Sequence, residues 1–198
     1  MTTHMPVLNT ERLIIRPFRV DDLDAIHVIL DRDLAFTSGN EERHSLAERR
    51  AWLEWTVRSE RELGNLFQPP YGDRAVTLHD GTLIGAVGFV PELKPFEQIT
   101  WFRAGGPERQ HYQHTPEVGL FWAIGTQWQR HGYATEAARA LVRFGFDSLN
   151  FARIIASTEY DNVASIGVMR RLGMRIERNP LPDPFYLQVV GVIVHPER

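Results

Sequence analysis

Apolar and polar residues alternate along the chain with two different periods, and the switches between them mark out its elements. Glu11 to Phe18 (ERLIIRPF) reads as a strand, and Val20 to Leu30 follows with Leu23, Ile26 and Leu30 at helical spacing. Ser45-Leu46-Ala47-Glu48 has the form of a capping box, in which two side chains satisfy free amides at a helix start, and it predicts a helix continuing to Leu63. Two β-rich segments, Tyr71 to His79 and Thr82 to Val90, flank Asp80-Gly81, a dipeptide suited to the positive φ angles of a tight turn, and so predict an antiparallel hairpin. Pro91 to Pro116 has no period and reads as a long irregular connection, a kind of segment that is usually functional or mobile.

Beyond it the pattern alternates strand and helix. Glu117 to Ile124 (EVGLFWAI) reads as a buried strand, and Ala134 to about Leu149 as a helix with Ala137, Ala138, Leu141, Val142 and Phe146 near one face. Ala152 to Thr158 is a further strand, and Asn162 to Leu172 a helix with Gly173 at the position of a left-handed C-cap. Met174 to Glu177 and Phe185 to Val194 supply final strands around a turn containing Pro180, Pro182 and Pro184. Strand, helix, strand, helix implies a partly parallel sheet, so the expected class is mixed α/β, with helices on the faces of one sheet and a single domain over residues 1–198.

Composition narrows the chemistry. A hydrophobic fraction of 43% with 24% charged residues disfavours wholesale disorder and fibrous architectures. No apolar run approaches the roughly 18 residues of a membrane span, and the first twenty residues lack an apolar signal core, so the expected location is cytoplasmic. The absence of cysteine removes disulfides, thiolate zinc sites and cysteine nucleophiles. A net charge of −3 gives no electrostatic footprint for nucleic acid or a membrane, and neither is expected as a partner. His111 and His114 have metal-like spacing, but without a carboxylate nearby in sequence they read as solvated histidines, and no metal is expected.

The most informative stretch lies between the Glu117 strand and the helix after it. In Gln129-Arg130-His131-Gly132-Tyr133-Ala134-Thr135, the small Gly132 and Ala134 let backbone amides face outward at a helix N-terminus, an arrangement suited to a pyrophosphate. A glycine that merely turns the chain into the helix would look the same. There is no G-x-G-x-x-G, no G-x-x-x-x-G-K-[ST] and no G-x-S-x-G, so dinucleotide folds, P-loops and serine-hydrolase elbows are unsupported.

Gln129-x-x-Gly132-x-Ala134 resembles the [RQ]-x-x-G-x-[GA] motif of the GNAT superfamily of acetyl-CoA-dependent N-acetyltransferases, including its place after a strand and at a helix start. Asn162-Val163-Ala164-Ser165 with Arg171-Leu172-Gly173-Met174, and upstream Asn9-Thr10-Glu11-Arg12-Leu13 with Arg16-Pro17, resemble the ribosomal-protein N-terminal acetyltransferase branch, in family order from about Asn9 to the C-terminus. The resemblance implies the GNAT fold, a mostly antiparallel sheet with a splayed parallel pair flanked by helices, and transfer of an acetyl group from acetyl-CoA to an amine. It assigns the pantetheine arm to the backbone of Trp122, Ala123 and Ile124. The pyrophosphate falls to the amides of Gln129 to Thr135, with Arg130 assisting, and further cofactor contacts to Asn162 and Ser165.

An ammonium must lose a proton before it can attack a thioester, and the resemblance makes Glu117 the leading candidate base, with His111 and His114 behind it. Glu117 would serve equally as one half of an ion pair with one of the many arginines. The family's usual acid, a tyrosine in the last motif helix, is replaced by Met169, which has no proton to give. The ribosomal branch points instead to Ser165 for hydrogen bonding the CoA sulfur, with Tyr160 as alternative, although Asn162 and Ser165 also have the form of a simple helix cap. The departure at Met169 keeps a second reading open, a non-catalytic acyl-CoA-binding module. Trp52, Trp55, Phe67, Phe96, Trp101 and Phe102 could wall an acceptor pocket or simply fill the core, and Glu41, Glu42 and Asp73 could attract a cationic amine or face water. The acceptor is a protein N-terminus or a small-molecule amine, and a homodimer could form through an exposed C-terminal strand.

Overall fold

The computed structural model describes residues 5–35, 43–103, 106–107 and 111–197; Glu41, Glu42 and part of the Pro91–Pro116 stretch lie outside the described residues. The strands are β1 (Leu8–Asn9), β2 (Leu13–Pro17), β3 (Gly72–Leu78), β4 (Leu83–Lys94), β5 (Thr115–Ile124), β6 (Arg153–Thr158), β7 (Arg175–Arg178) and β8 (Val189–Val194). The helices are α1 (Leu23–His27), α2 (Leu46–Asn65), α3 (Tyr133–Asp147) and α4 (Val163–Arg171). One mixed sheet has the order β1-β2-β3-β4-β5-β6-β8-β7, parallel between β5 and β6 and antiparallel elsewhere. The chain divides into two compact units, one of the residues up to Phe89 with Phe121–Phe144, the other of Val90–Leu120 with Gly145 to the C-terminus.

In the first unit the capping box forms as the sequence requires. Ser45 Oγ accepts from the Glu48 amide at 3.3 Å, Glu48 Oε2 accepts from the Ser45 amide at 2.7 Å, and α2 starts there. The hairpin turns at Gly81 with φ +91°, joining β3 to β4. Val20 to Leu30 departs from the single helix expected: a 3-10 turn at Val20–Asp22 leads into one turn of α1, and Val28–Asp33 widens to a π-helix. The widened turn holds Asp31, whose buried carboxylate accepts from Arg49 of α2 at 2.8 and 2.6 Å and contacts His27 Nδ1 at 2.9 Å. Paired Ala75 and Ala86, with Ala123, keep one sheet face low, so Leu23, Ile26, Leu30 and Leu53 pack closely on it.

In the second unit β8 inserts between β6 and β7, pairing with both. The C-terminal strand is therefore internal, which corrects the expectation that it is exposed; β7 forms that edge. A second correction concerns Pro91 to Pro116. Pro91 to Lys94 continue β4, and two 3-10 turns follow at Phe96–Gln98 and Thr100–Arg103. Their spacing of three residues explains why no two- or 3.6-residue period is visible, and it buries Phe96 and Ile99 against Ile155, Leu187 and Val190, with Phe102 packed alongside.

Candidate functional site

The turn between β5 and α3 is built from alternating backbone conformations. Arg130 has φ +63° and Gly132 φ +85°, left-handed values that curl the chain into a shallow concavity before the helix. The first helical bond is from the Glu136 amide to the Gly132 carbonyl at 3.0 Å. The N–H groups of Gly132, Tyr133, Ala134 and Thr135 therefore have no carbonyl within α3, and they stand at the positive end of a 15-residue helix. Gln129 does not point outward: its Nε2 donates to the Ile124 carbonyl at 2.9 Å and ties the turn to the end of β5. On the other side of the turn's entry, Asp33 accepts from the Thr126 amide at 2.6 Å. His131 is exposed and stacks on Tyr133, with ring centroids 5.7 Å apart.

A brace not visible in the sequence holds this turn from the N-terminal segment. Glu136 accepts from Thr10 Oγ1 at 2.6 Å, from the Arg12 amide at 3.0 Å and from Arg12 Nε at 2.7 Å. Arg12 also donates to the His131 carbonyl at 2.9 Å and lies over the Tyr133 ring at 4.6 Å. Burial alone would push the Glu136 carboxyl up, but the hydrogen bonds from Thr10 and Arg12 prevail and hold it below its ordinary range. Thr10 and Arg12 belong to the stretch that carried the upstream resemblance, so a signal was present there without a role attached to it.

On β5, Ala123 and Ile124 are buried and Trp122 is half-buried, all in the first unit. Glu117, in the second unit, adopts the ion-pair alternative. Arg153 donates to both of its oxygens, from Nε at 2.6 Å and from Nη2. That hydrogen bond, against the opposing cost of burial, raises the Arg153 guanidinium further above its usual value. Asn162 caps α4, its Oδ1 accepting from the Ser165 amide at 3.0 Å. Ser165 is half-buried in the first turn of that helix. Tyr160 donates its hydroxyl to the Asn179 carbonyl and lies 3.3 Å from the Leu181 carbonyl, which commits it to the chain.

Met169 is fully buried, and a Cβ on Gly191 would meet its sulfur at 3.0 Å, so this position serves the core. His111 and His114 are exposed, and no cluster of three or more metal-ligating side chains occurs among the described residues. Of the aromatic candidates, Phe96 is buried, Trp52 packs edge-on against Phe18, and Trp55 and Phe67 are exposed. Sequence reasoning also missed a polar cluster on β4 and β6. Lys94, the chain's only lysine, donates to Ser157 Oγ and pairs with Glu92, both at 2.8 Å.

Comparison with known proteins gives these features a context. The acetyltransferase (GNAT) domain model matches residues 12–175. An uncharacterized N-acetyltransferase of Bacillus subtilis, YnaD, is 43% identical over 65 residues, a stretch covering 33% of this chain and only 37% of that protein. The uncharacterized Bacillus subtilis protein YkkB is 27% identical over 177 residues, covering 86% of each. Among solved structures, an acetyltransferase from Agrobacterium tumefaciens superposes with a TM-score of 0.68 at 22% identity, over 98% of this chain and 96% of its own. A ribosomal L7/L12 N-terminal acetyltransferase solved with coenzyme A superposes with a TM-score of 0.65 at 15% identity, over 95% of this chain and 97% of its own.

Proposed function

Because this chain belongs to the GNAT acetyltransferase family, and is thereby an acetyl-CoA-dependent acyltransferase, we propose that it acetylates a primary amine, on a protein N-terminus or a small molecule, by direct attack in a ternary complex. The observation that carries this reading is the turn from Gln129 to Thr135. Four outward amides at the positive end of α3, with left-handed φ at Arg130 and Gly132, form a cradle that suits the pyrophosphate of CoA. Any side chain on Gly132 would face a strained φ of +85° and Arg12 at 3.4 Å, so the fit depends on glycine.

Acetyl-CoA supplies an activated acyl group as a thioester. The chain's own residues bind and orient it. The backbone of Trp122, Ala123 and Ile124 takes the pantetheine arm, Arg130 adds charge at the phosphates, and Ser165 hydrogen-bonds the sulfur. Tyr160 is bonded to backbone carbonyls and Met169 lies in the core, which supports Ser165 over Tyr160 for that role. Asn162 caps α4 and so fixes where Ser165 stands.

Calorimetric titration of acetyl-CoA into the protein tests the reading, with Gly132→Glu as the variant that blocks the cradle. Micromolar binding by the parent and its loss in a folded variant is the expected result, followed by amine-dependent release of CoA thiol. No heat of binding to the folded parent protein overturns the reading.

A further inference from the structure

Of Glu41, Glu42 and Asp73, the acidic residues that could attract a cationic amine, Asp73 alone lies within the described residues, and its setting is unusual. It sits on β3 opposite Gly88 of β4, and its Oδ1 is shut off from solvent with no hydrogen-bond partner among the described residues. A Cβ on Gly88 would lie 2.8 Å from that oxygen and 2.4 Å from the Gly72 carbonyl oxygen. The carboxylate thus occupies the space that a side chain at 88 would fill. A buried carboxylate oxygen without a partner is rare because desolvation is costly, and groups of this kind concentrate at functional sites.

The direction in which Asp73 leans follows from the strand register. The Gly125 amide donates to the Ile84 carbonyl at 3.0 Å, and β4 and β5 run antiparallel. Counting from that bond puts Gly88 beside Phe121, one residue before Trp122. Asp73, Gly88 and Phe121 therefore form a row across three strands, next to the row of Ala75, Ala86 and Ala123. With no side chain at 88, nothing on β4 stands between the carboxylate and Phe121, which packs with the buried cluster on this face and adjoins the strand segment assigned to the acyl donor. Thr56 Oγ1, on the α2 helix that packs over this face, is likewise buried without a partner among the described residues. The charge acting on Asp73 is Arg49 of α2, and that guanidinium is already held by Asp31, which His27 also contacts. Gly88 of β4 and Phe121 of β5 bring no titratable group to it. Burial, opposed by Arg49, pushes the Asp73 carboxyl up to about 6, where a carboxylate can both accept a proton and be ionised at neutral pH.

We propose that Asp73 receives the acceptor amine: it pairs with the incoming ammonium and takes one proton from it. This rests on the acetyltransferase reading above and adds to it the acceptor class, a cationic primary amine, and a catalytic residue. The freed nitrogen lone pair forms the N–C bond to the thioester carbonyl carbon. As the C–S bond breaks, the sulfur leaves with the electron pair and takes the second proton lost by nitrogen. The products are the acetamide and CoA thiol, and Asp73 returns its proton to water.

Asp73→Asn, with parent protein alongside, tests this in two ways. For the best amine of a panel of alkylamines, polyamines and short peptides with free N-termini, kcat/KM should fall roughly 100-fold or more while acetyl-CoA affinity is unchanged. In the parent, kcat/KM should rise with pH through about 6, and that limb should be absent from the variant's residual activity. A variant that keeps the parental kcat/KM, or keeps the limb, overturns the proposal. Independently of turnover, carbon-13 NMR of labelled aspartate should show a carboxyl titrating near 6 that Asp73→Asn removes and that added methylammonium chloride shifts to lower pH. A resonance that titrates in the ordinary carboxylate range, or does not respond to methylammonium, also overturns it. Failure of the parent to bind acetyl-CoA strikes instead at the acetyltransferase reading, and the NMR experiment still decides the role of Asp73.

Discussion

Glu117 and Asp73 both hold carboxylate oxygens out of solvent on strands, but one has a guanidinium on both oxygens and the other has a buried oxygen with none, and their substitutions should behave oppositely. The Glu117 side chain is 3% exposed and that of Arg153 42%, so removing Arg153 strands a buried charge, whereas removing Glu117 leaves an arginine that water can solvate. Arg153→Met should therefore cost roughly 1–3 kcal/mol in urea unfolding and Glu117→Gln distinctly less. The same Glu117→Gln protein separates the two readings of that residue: a role confined to the ion pair leaves the pH–rate profile unchanged, and a base role alters its acidic limb. For Asp73 the sign is reversed. Its folded value of about 6 lies above the ordinary 3.8, so the folded state binds the proton more tightly, and stability falls as pH rises from about 4 to about 6 and is level above. Asp73→Asn should accordingly raise Tm at pH 8, by at most roughly 3 kcal/mol of stability, and leave it unchanged at pH 3.5. The sequence displays both carboxylates plainly. What it does not display is that the partner of one is an arginine 36 positions away and that the other faces a glycine across a strand pair.

Among the elements, those whose signals are local were legible. The Ser45–Glu48 box, the Asp80-Gly81 hairpin and the Asn162 cap each bring together residues within three or four positions, and each forms as read. The turn before α3 was legible in its glycine and its helix start for the same reason. Its brace was not, because Arg12 and Glu136 are 124 positions apart and nothing local marks them as partners. The Phe96–Arg103 turns escaped because three-residue spacing resembles neither of the usual periods. If the brace sets the turn's shape, Arg12→Ala should weaken acetyl-CoA binding about tenfold by calorimetry, a loss of roughly 1.4 kcal/mol, with little effect on Tm. Glu136 carries the matching pH dependence. Its carboxyl is held below the ordinary 4.5, so its contribution is present above that value and disappears as pH falls through the depressed one. Acetyl-CoA affinity should fall over the same acid range in the parent and show less of that fall in Glu136→Gln.

At the scale of the whole molecule, periodicity identified the α/β class and the strands other than the two-residue β1, while Phe185–Leu187, read as the start of the last strand, form a 3-10 turn; strand order depends on pairing between distant segments and cannot be read from a period. The last strand shows the consequence. Its apolar run, VVGVIV, looks like a terminal addition, yet six residues of β6 and four of β7 find their partners on it. Gly191 at its centre accepts the sulfur atoms of Met169 and Met174, which a Cβ there would meet at 3.0 and 2.9 Å. Those contacts fasten α4, and with it Asn162 and Ser165, to the sheet. A chain ending before Val189 therefore loses more than an edge. It leaves β6 and β7 with unpaired backbone, removes Val190 and Val192 from the buried cluster and so exposes Ile155 and Leu187. Such a chain should lose the cooperative thermal transition of the parent in near-ultraviolet circular dichroism. Gly191→Ala, which asks only two flexible thioethers to move, should keep the transition at a cost of about 1–2 kcal/mol. A truncated chain that still melts cooperatively would mean that β8 is dispensable to the sheet, and the packing of Met169 would then need another explanation than a place in its core.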